Sequence, residues 1–319
     1  MVGEPIDGPS AWTAHTVGDA TWRVSLSDGC RSELLGVLDQ LRAKARALEQ
    51  LDSADYRLSQ TLQAAADTRR LLDSGAGFVL IDRLPMCGLS ADEAKALYWL
   101  FSNAVCRVVA GAWDGRVLHD VVDLDKQQGL RVRGDLTKQE IAWHTDNGFS
   151  CTPDHVGLLC IRPALDGGRN SLLSVHSAHN LMRERHADLL ARLYQPFYWN
   201  RMGEHHPQAS PVNRYPYFEH DGKFLKGRIN RRVVYAGYEL VGERIDAVGR
   251  AAVDAFFELL DDPSLAYSLT LEAGQILYLN NRLIAHHRTP FVDAADPRQR
   301  RHLVRIYMRD DGLPSYLGV

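Results

Sequence analysis

Two residues near the middle of the chain, His144 and Asp146, have the side-chain types and the spacing of a metal-binding pair. In an extended strand, residues two apart point to the same side of the sheet, so an imidazole and a carboxylate at this spacing can reach one metal ion. Far downstream, His286 and His287 offer a second imidazole. Two imidazoles and one carboxylate leave the opposite face of a metal open, which is the ligand set expected of a non-haem Fe(II) oxygenase.

The His-x-Asp pair alone is weak evidence, because a chain of this composition contains such pairs by chance. A hydrogen-bonded surface pair is the alternative interpretation. His186 and Asp188 show the same spacing, but they lie in residues 177–195, whose periodicity predicts a helix. Side chains two apart diverge on a helix, so we interpret that second pair as part of a solvated helix face.

An alternation near the C-terminus predicts a barrel strand with two arginines on one face. Arg301 and Arg305 are separated by Leu303 in this alternation, which continues to Tyr307. A guanidinium can bind a carboxylate bidentately, which a lysine ammonium cannot do. We therefore expect Arg301 to hold the far carboxylate of an acidic co-substrate.

Together these residues resemble the TauD/TfdA family of Fe(II)/2-oxoglutarate-dependent dioxygenases, which includes clavaminate-synthase-like and amino-acid hydroxylase branches. The resemblance extends from about residue 77 to residue 309. It implies that His144, Asp146 and His286 bind Fe(II). It also implies that Arg301 binds the C5 carboxylate of 2-oxoglutarate, and that O2 is the other co-substrate.

The sequence departs from the family pattern at two places. His287 follows the distal histidine where the family often has Gly or Ala. We assign His286 because it stands two residues before the family's Arg-Thr, and because strand alternation turns His287 away. The family's Gly-Gly-x-Thr, which contacts 2-oxoglutarate, places Asn170 at the threonine position, with Ser171 as the neighbouring alternative. The two glycines also predict a hairpin turn between strands at residues 156–161 and 172–175.

The resemblance implies oxidative decarboxylation of 2-oxoglutarate coupled to oxidation of an unactivated C–H bond. We expect hydroxylation, or desaturation or ring closure, because Asp146 occupies the position that related iron halogenases leave to chloride. In similar enzymes an arginine at the position of Arg305 can meet a substrate carboxylate or sulfonate. This favours a small amino-acid-like or carboxylated metabolite of specialised, natural-product metabolism. The alternative is that Arg305 pairs with a buried acid.

Residues 196–238 lie between the two halves of the predicted site and are rich in Tyr, Arg, Asn, His and Pro. Long irregular segments in enzymes are often lids or binding loops, so we expect substrate contacts here. The alternative for each candidate residue is that it belongs to a solvent-exposed loop with packed aromatic residues and does not contact substrate. The candidate contacts are His205, Arg214, Tyr217, Arg228 and Asn230.

Two other classes of function fit part of the pattern. A non-catalytic jelly-roll protein would bind a ligand without turnover. A zinc hydrolase could use the same three ligands with an open position, but Arg301 would then have no role.

The predicted fold is α+β, with a double-stranded β-helix (jelly-roll or cupin-like) core, an N-terminal helical layer and flanking helices. We expect residues 1–16 to be mobile and residues 17–319 to form one catalytic domain. Within it, the helical layer covers about 30–75, the jelly roll about 76–310, and the lid about 196–238. Helical periodicity covers residues 32–52, 54–73 and 242–260, with Val248, Ala252 and Phe256 on the packed face of the last. Ser90 and Glu93 predict a capping box for a helix that continues to Val109.

Composition is typical of a cytoplasmic enzyme with a small-molecule substrate. The formal net charge of -3 gives no broad basic face for nucleic acid. The sequence shows neither a signal peptide nor an apolar stretch long enough for a membrane span. The five cysteines are scattered and show no Cys-x-x-Cys, which argues against a disulfide framework and a zinc ribbon. Nothing in the sequence indicates the oligomeric state.

Overall fold

The computed structural model describes residues 4–18, 21–125, 134–220, 222 and 224–318. Helices and strands alternate along the chain, and most long-range pairing is antiparallel. The strands, in chain order, are β1 (Arg23–Val24), β2 (Phe78–Ile81), β3 (Val108–Val109), β4 (Leu118–Val121), β5 (Ile141–His144), β6 (His155–Arg162), β7 (Asp166–Gly167), β8 (Asn170–Ser174), β9 (Phe197–Asn200), β10 (Val212–Tyr215), β11 (Phe218–His220), β12 (Leu225–Gly227), β13 (Tyr267–Leu269), β14 (Ile276–Asn280), β15 (Ile284–Arg288), β16 (Phe291–Val292) and β17 (His302–Met308).

Two sheets face each other and form the barrel. The larger has the order β1-β2-β14-β6-β17-β3, with β4 also paired to β17, and the smaller has the order β13-β8-β15-β5. Between them lies one apolar cluster, which includes Leu158, Leu277 and Leu303 from the larger sheet and Leu172 and Ile284 from the smaller. This arrangement confirms the predicted α+β jelly-roll class.

Strand β17 shows how side-chain alternation builds these layers. Val304, Ile306 and Met308 belong to the cluster that packs the larger sheet against the N-terminal helices. Leu303 lies on the other face, in the cluster between the sheets. Because side chains alternate between faces, Arg305 is directed to the barrel interior with Leu303.

Helices cover the outer faces of both sheets. The N-terminal helices belong to the cluster on the larger sheet, and the later helices belong to the cluster that includes Leu173 and Ala285 of the smaller sheet. None of the described helices is both long and apolar enough to cross a membrane. The helices are α1 (Asp28–Ala43), α2 (Ser59–Ser74), α3 (Ala91–Val105), α4 (Val175–Arg185), α5 (Ala187–Leu193), α6 (Arg231–Val241) and α7 (Ala247–Leu260).

The N-terminal helices are shorter than predicted. The helix expected over 32–52 ends at Ala43 and is followed by short 3₁₀ turns. Leu51 instead contacts α3, where its carbonyl accepts a 3.1 Å hydrogen bond from the Trp99 indole. The Ser90–Glu93 capping box is confirmed. Its helix ends at Val105 rather than Val109, since β3 pairs with β17 instead.

Two later helix predictions were wrong in detail. The helix expected over 177–195 breaks at His186, where φ is -141°, and continues as α5. The helix expected from residue 242 begins at Ala247, because Asp246 caps it by accepting from the Gly249 N–H at 2.7 Å. Val248, predicted to pack, is 52% exposed in the first turn.

The described part of the N-terminal segment, for which mobility is predicted, makes contacts with the rest of the molecule. Trp12 is 4% exposed, and its indole N–H donates to the Ala76 carbonyl at 2.7 Å. The Ile6 N–H donates to the Asn180 side chain at 2.8 Å.

Residues 196–238 are more regular than predicted. Strands β9 and β10 form one antiparallel pair, β11 and β12 form another, and α6 begins at Arg231. The aromatic residues that suggested a loop are mostly apolar packing: Phe197, Trp199, Tyr217 and Phe218 belong to the cluster under the smaller sheet.

Candidate active site

Two neighbouring strands bring the proposed metal ligands together. His144 is the last residue of β5 and pairs directly with His286 on β15. Asp146 follows His144 by two residues in the adjoining turn, where its Oδ1 lies 3.3 Å from His144 Nε2 and 3.9 Å from His286 Nε2. One ligand atom from each of the three residues lies within 4.8 Å of the others. Three donors at this separation can surround one metal ion.

Hydrogen bonds orient the first two ligands. His144 Nδ1 lies 2.8 Å from the Ala142 carbonyl, so a proton on Nδ1 leaves Nε2 with a lone pair for a metal. The fully buried Asn281 accepts from the Asp146 N–H at 2.8 Å and donates to the Asp146 carbonyl at 2.9 Å and the Pro153 carbonyl at 3.1 Å. This side chain fixes the backbone at the carboxylate ligand.

The electrostatics keep both buried ligands unprotonated at neutral pH. Burial, and then the neighbouring His144, lower the pKa of His286 to about 3. Burial opposes ionisation of Asp146, but Arg305 and the two imidazoles outweigh it and hold its pKa well below the usual value. Metal ligands must be deprotonated, so the site is prepared for a cation.

His287 lies outside the cluster. Its Nε2 is 2.6 Å from Glu140 Oε1, and its ring packs against Trp143. The alternation of β15 thus places the two adjacent imidazoles on opposite faces, as the sequence predicts.

A second feature is a buried arginine, Arg301, for which the described residues provide no salt bridge. Arg301 is 3% exposed, its guanidinium lies 4.9 Å from the Phe291 ring centroid, and its Nη1 has no partner among the described residues. Burial lowers the pKa of Arg301 to about 10. Burial, and then the charge of Arg301, lower the pKa of Arg288 to about 9. Two buried guanidinium groups with open donors fit an acidic co-substrate such as 2-oxoglutarate.

The register of β8 distinguishes Asn170 from Ser171. Asn170 pairs with Arg288 and therefore shares the face of His286. Ser171 pairs with His287 on the opposite face, and its hydroxyl lies 2.8 Å from that of Ser268. The expectation that Ser171 is an alternative contact for 2-oxoglutarate does not fit this register.

A cavity of about 530 Å³ opens from the triad. Its wall combines apolar side chains such as Phe149 and Phe257 with polar groups. Asn147 is 5% exposed and has a left-handed φ of 50°, and its buried side-chain oxygen finds no hydrogen-bond partner in the described part of the chain. The other charged or amide side chains at the cavity are Asp135, Glu204, Asn230, Arg231, Arg232 and Arg305.

Arg305 lines the cavity as predicted, but it is already paired. Its Nη2 lies 2.7 Å from Asp135 Oδ2, and its Nη1 lies 3.6 Å from Asp146 Oδ2. The pairing with a buried acid that the sequence left open as an alternative is thus present.

Of the lid candidates, Asn230 alone lines the metal-side cavity; it also caps α6 by accepting from the Val233 N–H. Tyr217 is fully buried among aromatic rings, so its proposed substrate contact is wrong. Arg228 is directed to the carbonyls of Gly148 and Ser150.

The two remaining lid candidates are also not brought to the cavity. Arg214 is exposed and lies over Tyr198, 5.2 Å from the ring centroid. His205 contacts the carbonyl of His206 through Nδ1.

Several residues at the site were missed by sequence analysis. Asn281 belongs to the stretch before the distal histidine, but its clamp on Asp146 joins residues 135 positions apart. Asn147 follows the carboxylate ligand directly, and its residue type is one of the few that tolerate a left-handed turn. Arg231 and Arg232 follow an N-cap asparagine, which could have placed them at a helix start.

Comparison with known proteins agrees with this geometry. The sequence profile of the family described as "Taurine catabolism dioxygenase TauD, TfdA family" matches residues 42–307. The chain belongs to this family. It is therefore an Fe(II)/2-oxoglutarate-dependent dioxygenase, which confirms the enzyme class and the cofactors expected from the sequence.

Similar sequences and folds are found in individual proteins. FR-33289 synthase of Streptomyces rubellomurinus is 25% identical over 314 residues, covering 97% of this chain and 91% of that protein. The taurine hydroxylase-like protein SAT17 of Stachybotrys chartarum is 29% identical over 180 residues, covering 54% of this chain and 43% of that protein.

Solved structures show the same fold at low identity. An asparagine oxygenase with Fe(II), 3-hydroxyasparagine and succinate has a TM-score of 0.70 at 18% identity, covering 92% of this chain and 94% of that one. The non-heme iron oxygenase OrfP with Fe and α-ketoglutaric acid has a TM-score of 0.65 at 19% identity, covering 91% of this chain and 94% of that one.

Proposed function

We propose that His144, Asp146 and His286 bind the catalytic Fe(II), and that Arg301 binds the C5 carboxylate of 2-oxoglutarate. The observation that carries the assignment is the convergence of three ligand atoms from two strands and a turn within 4.8 Å. The unpartnered Nη1 of Arg301 supports the second part. Asn170, on the same face as His286, is the proposed additional contact to 2-oxoglutarate.

When bound, iron would allow O2 to act as the oxidant, with half of its oxidising equivalents converting 2-oxoglutarate to succinate and carbon dioxide and the other half oxidising the substrate C–H bond. The protein side chains bind and orient. Asn281 keeps Asp146 in place, and Ala142 keeps the His144 imidazole in its ligand tautomer. The cavity then holds the target carbon beside the metal, so that orientation rather than an added acid or base selects the bond.

The substrate we propose is a small amino-acid-like or carboxylated metabolite of specialised metabolism. The cavity volume of about 530 Å³ suits a small molecule. The buried, unpartnered oxygen of Asn147 can accept a hydrogen bond from a substrate amino group. Arg305 can bind a substrate carboxylate if that carboxylate displaces the Asp135 side chain from the guanidinium. Oxygenases of the same fold are described with 3-hydroxyasparagine and with (3S)-hydroxy-L-Arg.

We further propose that the reaction is hydroxylation rather than halogenation. Asp146 occupies one position of the metal, which leaves no place for a halide in addition to the co-substrates. Desaturation and ring closure remain open to the same oxidant; both remove two hydrogens, so product mass distinguishes them from hydroxylation, which adds one oxygen. A chlorinated product would contradict this part.

The test is succinate formation from 2-oxoglutarate with purified protein, Fe(II), and a library of amino acids and carboxylated metabolites. We expect His144→Ala to abolish the substrate-dependent signal. His287→Ala is the matched control, because it removes an adjacent imidazole on the opposite face of β15, and it should retain activity. If both variants are equally active, or if a non-catalytic protein binds ligands without any turnover, the proposal is wrong.

A further inference from the structure

A second cavity lies behind the loop that carries Asp146. Its volume is about 420 Å³, and it is lined by residues 150–152 of that loop together with Arg201, Asn213, Arg228 and Arg282. None of the residues described as lining it is acidic. The mechanism proposed above makes no use of this cavity.

The cavity concentrates positive charge in a buried place. Arg201 and Arg228 are each 8% exposed. Burial, and then the charge of Arg228, lower the pKa of Arg282 to about 10. The nearest acids described for these groups stand beyond hydrogen-bond distance: Glu219 is 3.7 Å from Arg228, and Asp154 is 3.7 Å from Arg282. Both acids lie within ion-pair range of one guanidinium each, so the positive charge of the three guanidinium groups that line the cavity is only partly neutralised.

Hydrogen bonds to backbone carbonyls fix these guanidinium groups. Arg228 donates to the Gly148 and Ser150 carbonyls, Arg282 to the Thr152 carbonyl at 3.0 Å, and Arg201 to the Ser210 carbonyl at 3.1 Å. Arg228 also lies over the Tyr215 ring, 4.1 Å from its centroid. Because these guanidinium groups are already held in place, ligand binding would not cost the conformational entropy of ordering them.

Donors remain unused around the same cavity. Among the described residues, the Nε atoms of Arg201, Arg228 and Arg282 and the hydroxyl of Ser150 are buried without a hydrogen-bond partner, although Arg282 Nε lies 3.7 Å from Asp154 Oδ1. A buried donor without a partner costs about 1–3 kcal/mol. Several such donors in one small volume are typical of a site whose ligand supplies the acceptors.

We propose that this cavity binds an oxyanion of the phosphate or sulfate type. Three guanidinium groups and a hydroxyl converge from different chain segments, and a tetrahedral anion offers more acceptors to such an arrangement than a planar carboxylate does. The anion is either free in solution or the anionic end of a substrate whose reacting carbon lies at the triad. Phe149 and Met202 line the metal-side cavity and are the chain neighbours of Ser150 and Arg201.

Occupancy of this site would act on the catalytic loop. Arg228 and Arg282 hold carbonyls of residues 148–152, a segment that begins two residues after Asp146. An anion that neutralises both guanidinium groups would stabilise this segment in the arrangement that presents the carboxylate ligand.

The experiment measures binding of inorganic phosphate by calorimetry and by thermal unfolding, at constant ionic strength set with chloride. The protein carries Arg301→Leu, so that phosphate cannot occupy the proposed 2-oxoglutarate site. We expect saturable binding and a rise in Tm. Arg201→Gln should raise the Kd at least about 10-fold through loss of charged donors. Arg214→Gln, an exposed arginine of the same segment that does not line the cavity, is the matched control and should leave the Kd unchanged.

Phosphate also stabilises proteins nonspecifically by exclusion from their surface. A Tm rise of equal size in the Arg201→Gln and Arg214→Gln proteins, without saturation, overturns the proposal. Ser150→Ala is the second variant if Arg201→Gln does not fold, and it should weaken phosphate binding while the protein remains folded. The Arg301-containing enzyme is then assayed at saturating 2-oxoglutarate, which keeps phosphate out of the proposed co-substrate site. Competitive inhibition by phosphate against the substrate identifies the anion site with a substrate tail, and a non-competitive effect on turnover that is lost in Arg201→Gln identifies a free anion.

Discussion

Replacement of Arg301 by leucine should lower the affinity for 2-oxoglutarate and raise the stability of the metal-free protein. Its Nη1 has no hydrogen-bond partner among the described residues, so the proposed ligand is the missing counterion of the Arg301 guanidinium. A bidentate pair with a carboxylate provides two charge-assisted hydrogen bonds of about 1.5–3 kcal/mol each. Loss of about 3–4 kcal/mol raises the Kd for 2-oxoglutarate by about 100-fold to 1,000-fold.

The stability of the metal-free protein should rise in the same variant. Lowering the pKa of Arg301 from its usual value to about 10 corresponds to about 3 kcal/mol of cost from burying the charge. The group stays protonated in both folded and unfolded chains at neutral pH, which lies below both pKa values, so the full cost applies there. The contact with Phe291 offsets about 1 kcal/mol. We therefore expect Arg301→Leu to gain about 2 kcal/mol.

Anaerobic calorimetry with Mn(II)-loaded protein measures the affinity for 2-oxoglutarate, and urea unfolding of metal-free protein measures the stability. Arg300→Leu is the matched control, because this neighbouring guanidinium is only partly buried and is paired with Asp125 at 2.8 Å. That variant should bind 2-oxoglutarate normally and lose at most about 1 kcal/mol. Unchanged 2-oxoglutarate affinity in Arg301→Leu refutes the assignment, and destabilisation of its apo form refutes the charge-burial reasoning.

Three further predictions concern other parts of the site and the fold. Asn281→Ala removes three buried hydrogen bonds to the backbone of Asp146 and Pro153. It should lower the free energy of unfolding in urea by about 2–4 kcal/mol and reduce the affinity for Mn(II) by more than about 10-fold. The control, Asn280→Ala, should leave the Mn(II) affinity unchanged. Asn170→Ala should raise the Kd for 2-oxoglutarate, whereas Ser171→Ala, on the opposite face, should not; equal effects contradict the register argument. Burial lowers the pKa of His179 to about 4. Between pH 6.5 and 4, the unfolded chain therefore binds a proton that the folded chain does not. The free energy of unfolding should fall by up to about 3 kcal/mol as the pH drops through this window. Urea unfolding of His179→Gln should show a flatter pH dependence there, and an unchanged slope would exclude this source.

The sequence pointed to the three residues of the proposed metal triad through a local spacing for His144 and Asp146 and through the family resemblance for His286, and the structure places one ligand atom of each within 4.8 Å of the others. The i, i+2 spacing of His144 and Asp146 suggested one strand, whereas Asp146 lies in the turn after β5; His287 was excluded by the alternation of β15. The face of Asn170 could not be predicted, since it depends on which residue of β15 lies opposite, and register is set by pairing between distant segments.

The lid was predicted poorly because composition does not reveal where side chains point. Tyr217 carries a hydroxyl and suggested a polar contact, yet its ring is fully buried beside Phe197 and Trp199. The aromatic area determines its position more strongly than the hydroxyl does. Arg228 was likewise expected to meet substrate, but it donates to loop carbonyls about 80 positions away, a partnership that no local pattern encodes.

Arg305 lies next to the second carboxylate oxygen of Asp146, on the side of that carboxylate away from the two imidazoles. Asp146 directs Oδ1 towards both imidazole Nε2 atoms, while its Oδ2 lies 3.6 Å from Arg305 Nη1. A carboxylate that offered both oxygens to a metal would fill a position that the co-substrates need. The attraction of Arg305 for Oδ2 opposes that rotation. Because Arg305 also contacts Asp135 at 2.7 Å, its charge is held in place even before substrate binds, and the carboxylate ligand is oriented for one-oxygen binding from the outset.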